Sequence, residues 1–141
     1  MTVGATIKPV PVEDFLAVQE LVARYCWYVD ENRGADWAAL YTDDGIFEGT
    51  RPEPVIGRAA LEKVPGELNG YFNGRLRHQA SNLYVEHGTE PGTLVARFYN
   101  QIAKWDQGLK PLMLGVSTAT LVRDQPGGPW LIKRNTIRAL S

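Results

Sequence analysis

Apolar residues at Phe15, Val18, Leu21, Val22, Tyr25, Cys26 and Val29 recur at intervals of three and four, the period of a helix with one buried face. The pattern predicts an amphipathic helix over 12–29. Pro9 and Pro11 precede it, and Glu13 and Asp14 suit the positive end of its dipole. Gly34 interrupts the pattern. Asp36 then reads as the cap of a short second helix through Trp37, Leu40 and Tyr41. The run Thr42-Asp43-Asp44-Gly45 has turn chemistry and feeds a short strand over 46–48. A Pro-rich loop over 51–54 follows, then a short helix over 57–64 that Pro65 is expected to end.

Beyond Arg75 the period drops to two. Four β-rich runs, 77–86, 93–105, 112–123 and 130–139, are separated by turn-forming stretches at 88–92, 106–108 and 124–129. Helices first and consecutive strands afterwards make an α+β order, without the alternation of a βαβ sheet. The expected architecture is a curved antiparallel sheet wrapped as a cone around the long N-terminal helix. A pocket remains between helix and sheet.

The 141 residues suffice for one domain, 1–141, and not for two. Hydrophobic residues at 44% and charged residues at 22% exclude a disordered chain. Fifteen Lys+Arg against sixteen Asp+Glu leave a formal charge of −1, which gives no broad footprint for nucleic acid or an anionic membrane. No stretch approaches the ~20 apolar residues of a membrane span, and segment 1–10 lacks the apolar run of a signal peptide. Cys26 stands alone and cannot form an internal disulfide, so a reducing cytoplasm is the expected setting. Its place on the apolar helix face marks it as a packing thiol. Asp43 and Asp44 lack the spacing of a calcium loop, and no metal-ligand cluster is visible. No cofactor is expected.

The chain has two histidines, and their positions are informative. His78 opens the first long strand and His87 lies near its end. Nine residues apart, they fall on opposite faces unless a bulge intervenes. His87 reads as a solvent-facing strand end. His78 shares its face with Ala80, Asn82 and Tyr84, a hydrogen-bonding row suited to a pocket wall. Asp30 sits at the C-terminal end of the first helix, where the dipole is negative and an acid is unfavourable. It wants a compensating partner: His78, if the acid reaches that strand, or water, if Asp30 is a solvated acid beside Glu31 and Asn32. A carboxylate on one ring nitrogen fixes the other as the base and stabilises the imidazolium that forms.

Several segments together resemble a known family. They are Tyr25-x4-Asp30, Asp36-Trp37-Ala-Ala-Leu-Tyr-Thr-Asp-Asp-Gly-Ile-Phe-Glu, Arg77-His78-x3-Asn82, and a closing Leu121-Val122-Arg123 with Trp130-x-Ile132-x2-Arg134. In order and spacing they resemble the SnoaL-like branch of the nuclear transport factor 2-like superfamily, over nearly the whole chain. That branch includes bile-acid 7α-dehydratase, scytalone dehydratase, hexachlorocyclohexane dehydrochlorinase and polyketide cyclases. The resemblance implies a cystatin-like cone and a catalytic set in which His78 is the base, Asp30 its orienter and Tyr25 a hydrogen-bond donor or acid. Tyr25 and Asp30 are five residues apart, roughly 140° around a helix, so Tyr28 competes for the donor role. No counterpart of the bile-acid enzyme's further strand acid is evident, since Arg97, Tyr99 and Gln101 share one face of that strand.

The expected activity is that of a cofactor-independent lyase or isomerase of dehydratase type, acting by Asp–His proton abstraction on a hydrophobic, multi-ring small molecule. A polyketide or terpenoid cyclase would use the same dyad. A dioxygenase β-like subunit or a small-molecule carrier would use none. In SnoaL-like chains the strand leading to Leu-Val-Arg carries a Tyr and an Asp where Ser117 and Ala119 stand here, so Gly115, Ser117 and Ala119 form a row of small residues. Facing the pocket, that row enlarges it. Alternatively, neighbouring aromatics such as Trp105, Phe98 or Phe47 fill the space. Phe47, Tyr99, Ser117 and Ala119 are expected to contact substrate, with Asn82 and Tyr84 fixing its polar end. Leu83 and Val85, pointing away from His78, and the row Leu112, Leu114 and Val116 offer faces for a homodimer or homotrimer.

Overall fold

A computed structural model describes residues 8–140. The elements run α1 Val12–Asp30, α2 Gly34–Ala38, β1 Tyr41–Glu48, β2 Val55–Ile56, α3 Arg58–Leu61, α4 Val64–Tyr71, β3 Leu76–His87, β4 Leu94–Trp105, β5 Leu109–Val122 and β6 Leu131–Ala139. The six strands form one open curved sheet in the order β2-β1-β6-β5-β4-β3. All neighbours are antiparallel except β1 and β6, which run parallel. That pairing departs from the all-antiparallel expectation. It arises because β1 lies beside the last strand, while the chain crosses through α3 and α4 to reach the opposite edge at β3.

The apolar stripe of α1 supplies Val18, Leu21, Val22, Tyr25, Cys26 and Val29 to the core. Leu94, Ala96 and Phe98 of β4, Ala119 and Leu121 of β5, and Ile132 and Ile137 of β6 meet them. Trp37 of α2 packs against Tyr25, Tyr41 and Phe47 with ring centroids 5.1–5.5 Å apart. Asp14, near the start of α1, accepts hydrogen bonds from Arg123 and from the indole of Trp130, tying the helix to the β5–β6 turn.

Three local readings of the sequence need correction. Asp36 is not the cap of α2: Arg33 holds that position, and Asp36 lies in the first turn, accepting from Arg33 Nε at 2.9 Å. The stretch Thr42-Asp43-Asp44-Gly45 is not a turn before a strand but an irregularity within β1, whose pairing jumps from Tyr41↔Ile132 to Ile46↔Arg134. The chain doubles back closely there, and a Cβ at Gly45 would meet Tyr41 Cβ at 2.7 Å. Pro65 does not end a helix but starts one. It occupies the first turn of α4, where a missing N–H costs nothing.

The fourth correction matters most for the site. Along β3 the register with β4 shifts between Ser81 and Tyr84, with Asn82 at φ 57°. His78 pairs with Ile102 and Ala80 with Asn100 before the bulge; Tyr84 pairs with Arg97 and Val85 with Ala96 after it. One extra residue inverts every later side chain. Tyr84 therefore leaves the His78 face, and His87 joins it. Leu83 and Val85 turn inward and pack against the core.

Candidate active site

Asp30 is the last residue of α1, and no basic residue occupies the helix's final turn. Its compensation comes from β3. Asp30 Oδ2 accepts the backbone N–H of His78 at 2.9 Å, and Oδ1 lies 2.6 Å from His78 Nδ1. Both side chains are 7% exposed. With the carboxylate on Nδ1, the Nδ1–H tautomer is the one that keeps the contact favourable, and Nε2 is left with the lone pair. Among the described residues Nε2 has no hydrogen-bond partner.

The His78 ring lines a cavity of about 240 Å³ between α1, α4 and the sheet. Tyr25, Val29, Trp37, Phe47, Val64, Leu68, Phe72, Leu76, Ile102, Leu112, Met113 and Ile137 make most of its wall, and Thr50, Arg51 and His78 are its polar exceptions among the described residues. Asp30 is absent from that lining; together with His78 it borders a second cleft, beside Trp27, Arg77 and Trp105. An apolar cavity of ~150 Å³ admits benzene. This one suits a ligand nearer two fused rings.

Tyr25 reaches the same cavity and is 3% exposed. Its hydroxyl oxygen accepts from Asn135 Nδ2 at 3.1 Å, and the buried Tyr41 hydroxyl is its neighbour. Burial pushes the phenol well above its usual range, so it stays protonated. Tyr28 is turned elsewhere. Its oxygen accepts from Arg24 at 2.6 Å and its ring lies under the Arg33 guanidinium. Of the two tyrosines left open by the sequence, Tyr25 and not Tyr28 lines the cavity that His78 lines.

Residues 10–136 match the SnoaL-like domain family. The chain belongs to that family. Solved structures with the same fold include a nuclear transport factor 2-like protein with a cystatin-like fold from Novosphingobium aromaticivorans, at 22% identity, TM-score 0.80, and coverage of 92% of this chain and 84% of that one. Rv3472, a function-unknown protein from Mycobacterium tuberculosis, shares 26% identity at TM-score 0.80, over 92% and 77% of the two chains. A candidate scytalone dehydratase from Novosphingobium aromaticivorans aligns at 20% identity and TM-score 0.76, over 92% and 86%. Comparison of the sequence with curated proteins gives no match. No described helix is long and apolar enough to cross a membrane.

Within this SnoaL-like fold the other expected contact residues separate into three places. Phe47 lines the cavity. Ser117 and Ala119 face inward but do not reach it: Ser117 is fully buried, and Ala119 borders a hole of about 10 Å³ among Leu21, Val22, Tyr25, Phe98 and Asn135. The space opened by the small row is filled, as the alternative reading held, with Tyr25 and Phe98 doing the filling rather than Trp105. Tyr84 and Tyr99 lie across the sheet, lining a separate outer groove with Arg97, Val116, Arg138 and Leu140; Asn82, at the bulge, borders both that groove and a cleft beside His78, Ala80 and Cys26. The β3 bulge put Tyr84 there, and strand parity put Tyr99 there.

Sequence reading missed Arg51, Leu68, Phe72, Met113 and Asn135. Asn135, 1% exposed, interrupts the otherwise apolar inner face of β6, as fully buried Asn100 interrupts that of β4 between Phe98 and Ile102. A polar residue on an apolar stripe is a readable signal. Cys26, 6% exposed, packs in the core, and His87 is exposed with Nε2 3.2 Å from the Pro9 carbonyl.

Proposed function

We propose that the chain is a cofactor-independent lyase or isomerase of dehydratase type, removing a proton from carbon next to a carbonyl of an apolar two-ring substrate. One observation carries the reading: a carboxylate–imidazole pair at 2.6 Å, almost wholly buried, whose histidine lines an apolar cavity. A carrier needs the cavity but gains nothing from a buried acid at the unfavourable end of a helix.

In this reading His78 Nε2 takes the proton, and Asp30 stabilises the charge that the ring acquires. The electron pair moves to the carbonyl oxygen, where the Tyr25 hydroxyl donates a hydrogen bond. In a dehydration the pair then returns, the β-hydroxyl departs, and the proton taken by His78 leaves with it as water. A cyclase would use the same abstraction, with the enolate attacking a second carbonyl. Base catalysis of this kind supplies about 10²–10⁴-fold, the remainder coming from orientation in the cavity.

The test is proton exchange rather than turnover of an unknown substrate. In D₂O the protein is expected to accelerate exchange at the α-carbon of 2-tetralone, followed by NMR, and His78→Asn and Asp30→Asn are expected to suppress it. Exchange that persists in His78→Asn, or a bound ketone that fails to exchange, would overturn the reading.

A further inference from the structure

Among the described residues lining the cavity there is one permanent cation, Arg51, set in a wall otherwise apolar or aromatic except for Thr50 and His78. Arg51 stands on segment 49–54 between β1 and β2. Its Nη1 donates to Glu67 Oε2 of α4 at 2.7 Å. The side chains are 33% and 53% exposed, so the pair sits at the mouth, where the loop meets α4. An ion pair of this exposure contributes little to stability. Stability alone therefore does not account for a guanidinium in the lining of a hydrophobic cavity. The Glu67 bond uses one of its five N–H donors, and among the described residues Nε and Nη2 have no partner.

We propose that Arg51 is the anchor for a carboxylate on the ligand, so that the cavity takes a small two-ring acid whose body lies against Val64, Leu68, Phe72 and Met113. The inference rests on reading this cavity as the substrate site, and it names the class of substrate. Glu67 is the resting partner, which the incoming carboxylate displaces. The guanidinium fork matches a carboxylate through two parallel hydrogen bonds. One cation balances one negative charge. A dianionic phosphate ester would bring a second charge against the apolar wall, where an unpaired charge is costly.

Calorimetric titration with 2-naphthoate, the isosteric 2-naphthamide and 2-naphthyl phosphate tests this. The naphthoate is expected to bind about tenfold or more tighter than the amide, the worth of a charge-assisted pair at a partly open site. Arg51→Gln is expected to erase that preference while leaving amide affinity within about twofold, and Arg51→Lys, which keeps charge but not the fork, to retain part of it. Glu67→Gln, by removing the competing carboxylate, is expected to tighten naphthoate binding. Were the pair only a strap holding the loop to α4, Arg51→Gln and Glu67→Gln would shift both ligands in the same direction, and the proposal would fall. It falls equally if the phosphate binds tighter than the carboxylate, or if neither the naphthoate nor the amide binds at millimolar concentration. Thermal unfolding checks that each variant is folded. His78→Asn separates this claim from the catalytic one: there the naphthoate preference is expected to survive while 2-tetralone exchange is lost. In the wild type, the preference without any exchange would sink the proposed catalysis alone, and exchange without the preference would sink the anchor alone.

Discussion

Replacing Asp30 with Asn tests the dyad without changing its shape. Asp30 accepts two N–H bonds from His78, one from the backbone at 2.9 Å and one at Nδ1, 2.6 Å away. An amide has one acceptor oxygen. If that oxygen keeps the backbone N–H, the amide NH₂ faces Nδ1, which must then carry the lone pair. The proton moves to Nε2, and that nitrogen ceases to be a base. Losing one charge-assisted bond at a site 7% exposed costs about 1.5–3 kcal/mol. Relief of the acid at the helix C-terminus returns about 0.3–1 kcal/mol. A net loss of about 1–2 kcal/mol lowers Tm by roughly 3–8 °C for a chain of this size. Activity in 2-tetralone exchange should fall about 10²–10⁴-fold. The tautomer is directly readable by ¹⁵N NMR, because the chain has two histidines and His87→Gln assigns them. Wild type should show Nδ1–H at His78 and the variant Nε2–H. An Asp30→Asn protein with unchanged tautomer and unchanged Tm would refute the reasoning.

Burial, with the Asp30 charge adding to it, pushes the Cys26 thiol up to about 12, so native protein should resist iodoacetamide at pH 8 and react only on unfolding. The same shift is a stability effect: it is fully present below the unfolded value of about 8.5 and is lost as pH rises toward about 12, at no more than about 1.4 kcal/mol per unit, measurable by urea unfolding at pH 8, 9 and 10. Ala119→Phe should overpack the core rather than narrow the ligand cavity, because Ala119 is 4% exposed beside a hole of about 10 Å³; a cost of about 1–3 kcal/mol is expected in thermal unfolding, and an undiminished Tm would contradict the placement. Leu114, Tyr84, Tyr99 and Leu140 are 41–49% exposed on the outer sheet face, and a homodimer or homotrimer through that face should dissociate in Leu114→Glu. Sedimentation of the wild type as a monomer at micromolar concentration would dispose of that expectation.

The strands were readable because a half-buried strand imposes a period of two, and β4 and β6 end within a residue or two of where the alternation placed them. Helix α1 was readable for the same kind of reason. Helix α4 was not, because Val64–Tyr71 contains Pro65, Gly66 and Gly70, and its local propensity is poor. It is held by tertiary contacts: Val64 is buried, and Asn69 Nδ2 donates to the carbonyls of Val29 and Pro65. Since Val64 and Leu68 line the cavity, missing the helix meant missing one side of the wall. The bulge in β3 left no mark in the apolar pattern. It depends on Asn82 adopting φ 57°, a conformation asparagine tolerates better than most residues, and it carried Tyr84 out of the site. Arg51 was illegible for a different reason: it lies on an irregular loop, where no period says which way a side chain points.

What made Asp30 legible was a local conflict. An acid in the last turn of a helix opposes the dipole, and the sequence supplies no basic residue there to offset it. A conflict of this sort persists when something distant resolves it, here two hydrogen bonds from His78. The resolution has a structural consequence. The helix that carries Asp30 is also the one whose Val18, Val22 and Val29 fill the core, so the carboxylate cannot shift relative to His78 without moving the packing of the sheet. Fold and dyad are thus set by the same element. The Arg51–Glu67 contact at the mouth joins a loop to a short helix and is free of that constraint. In the proposed mechanism the end of the cavity set by α1 would hold the chemistry, and the Arg51 end would be where ligand selection can vary without disturbing it.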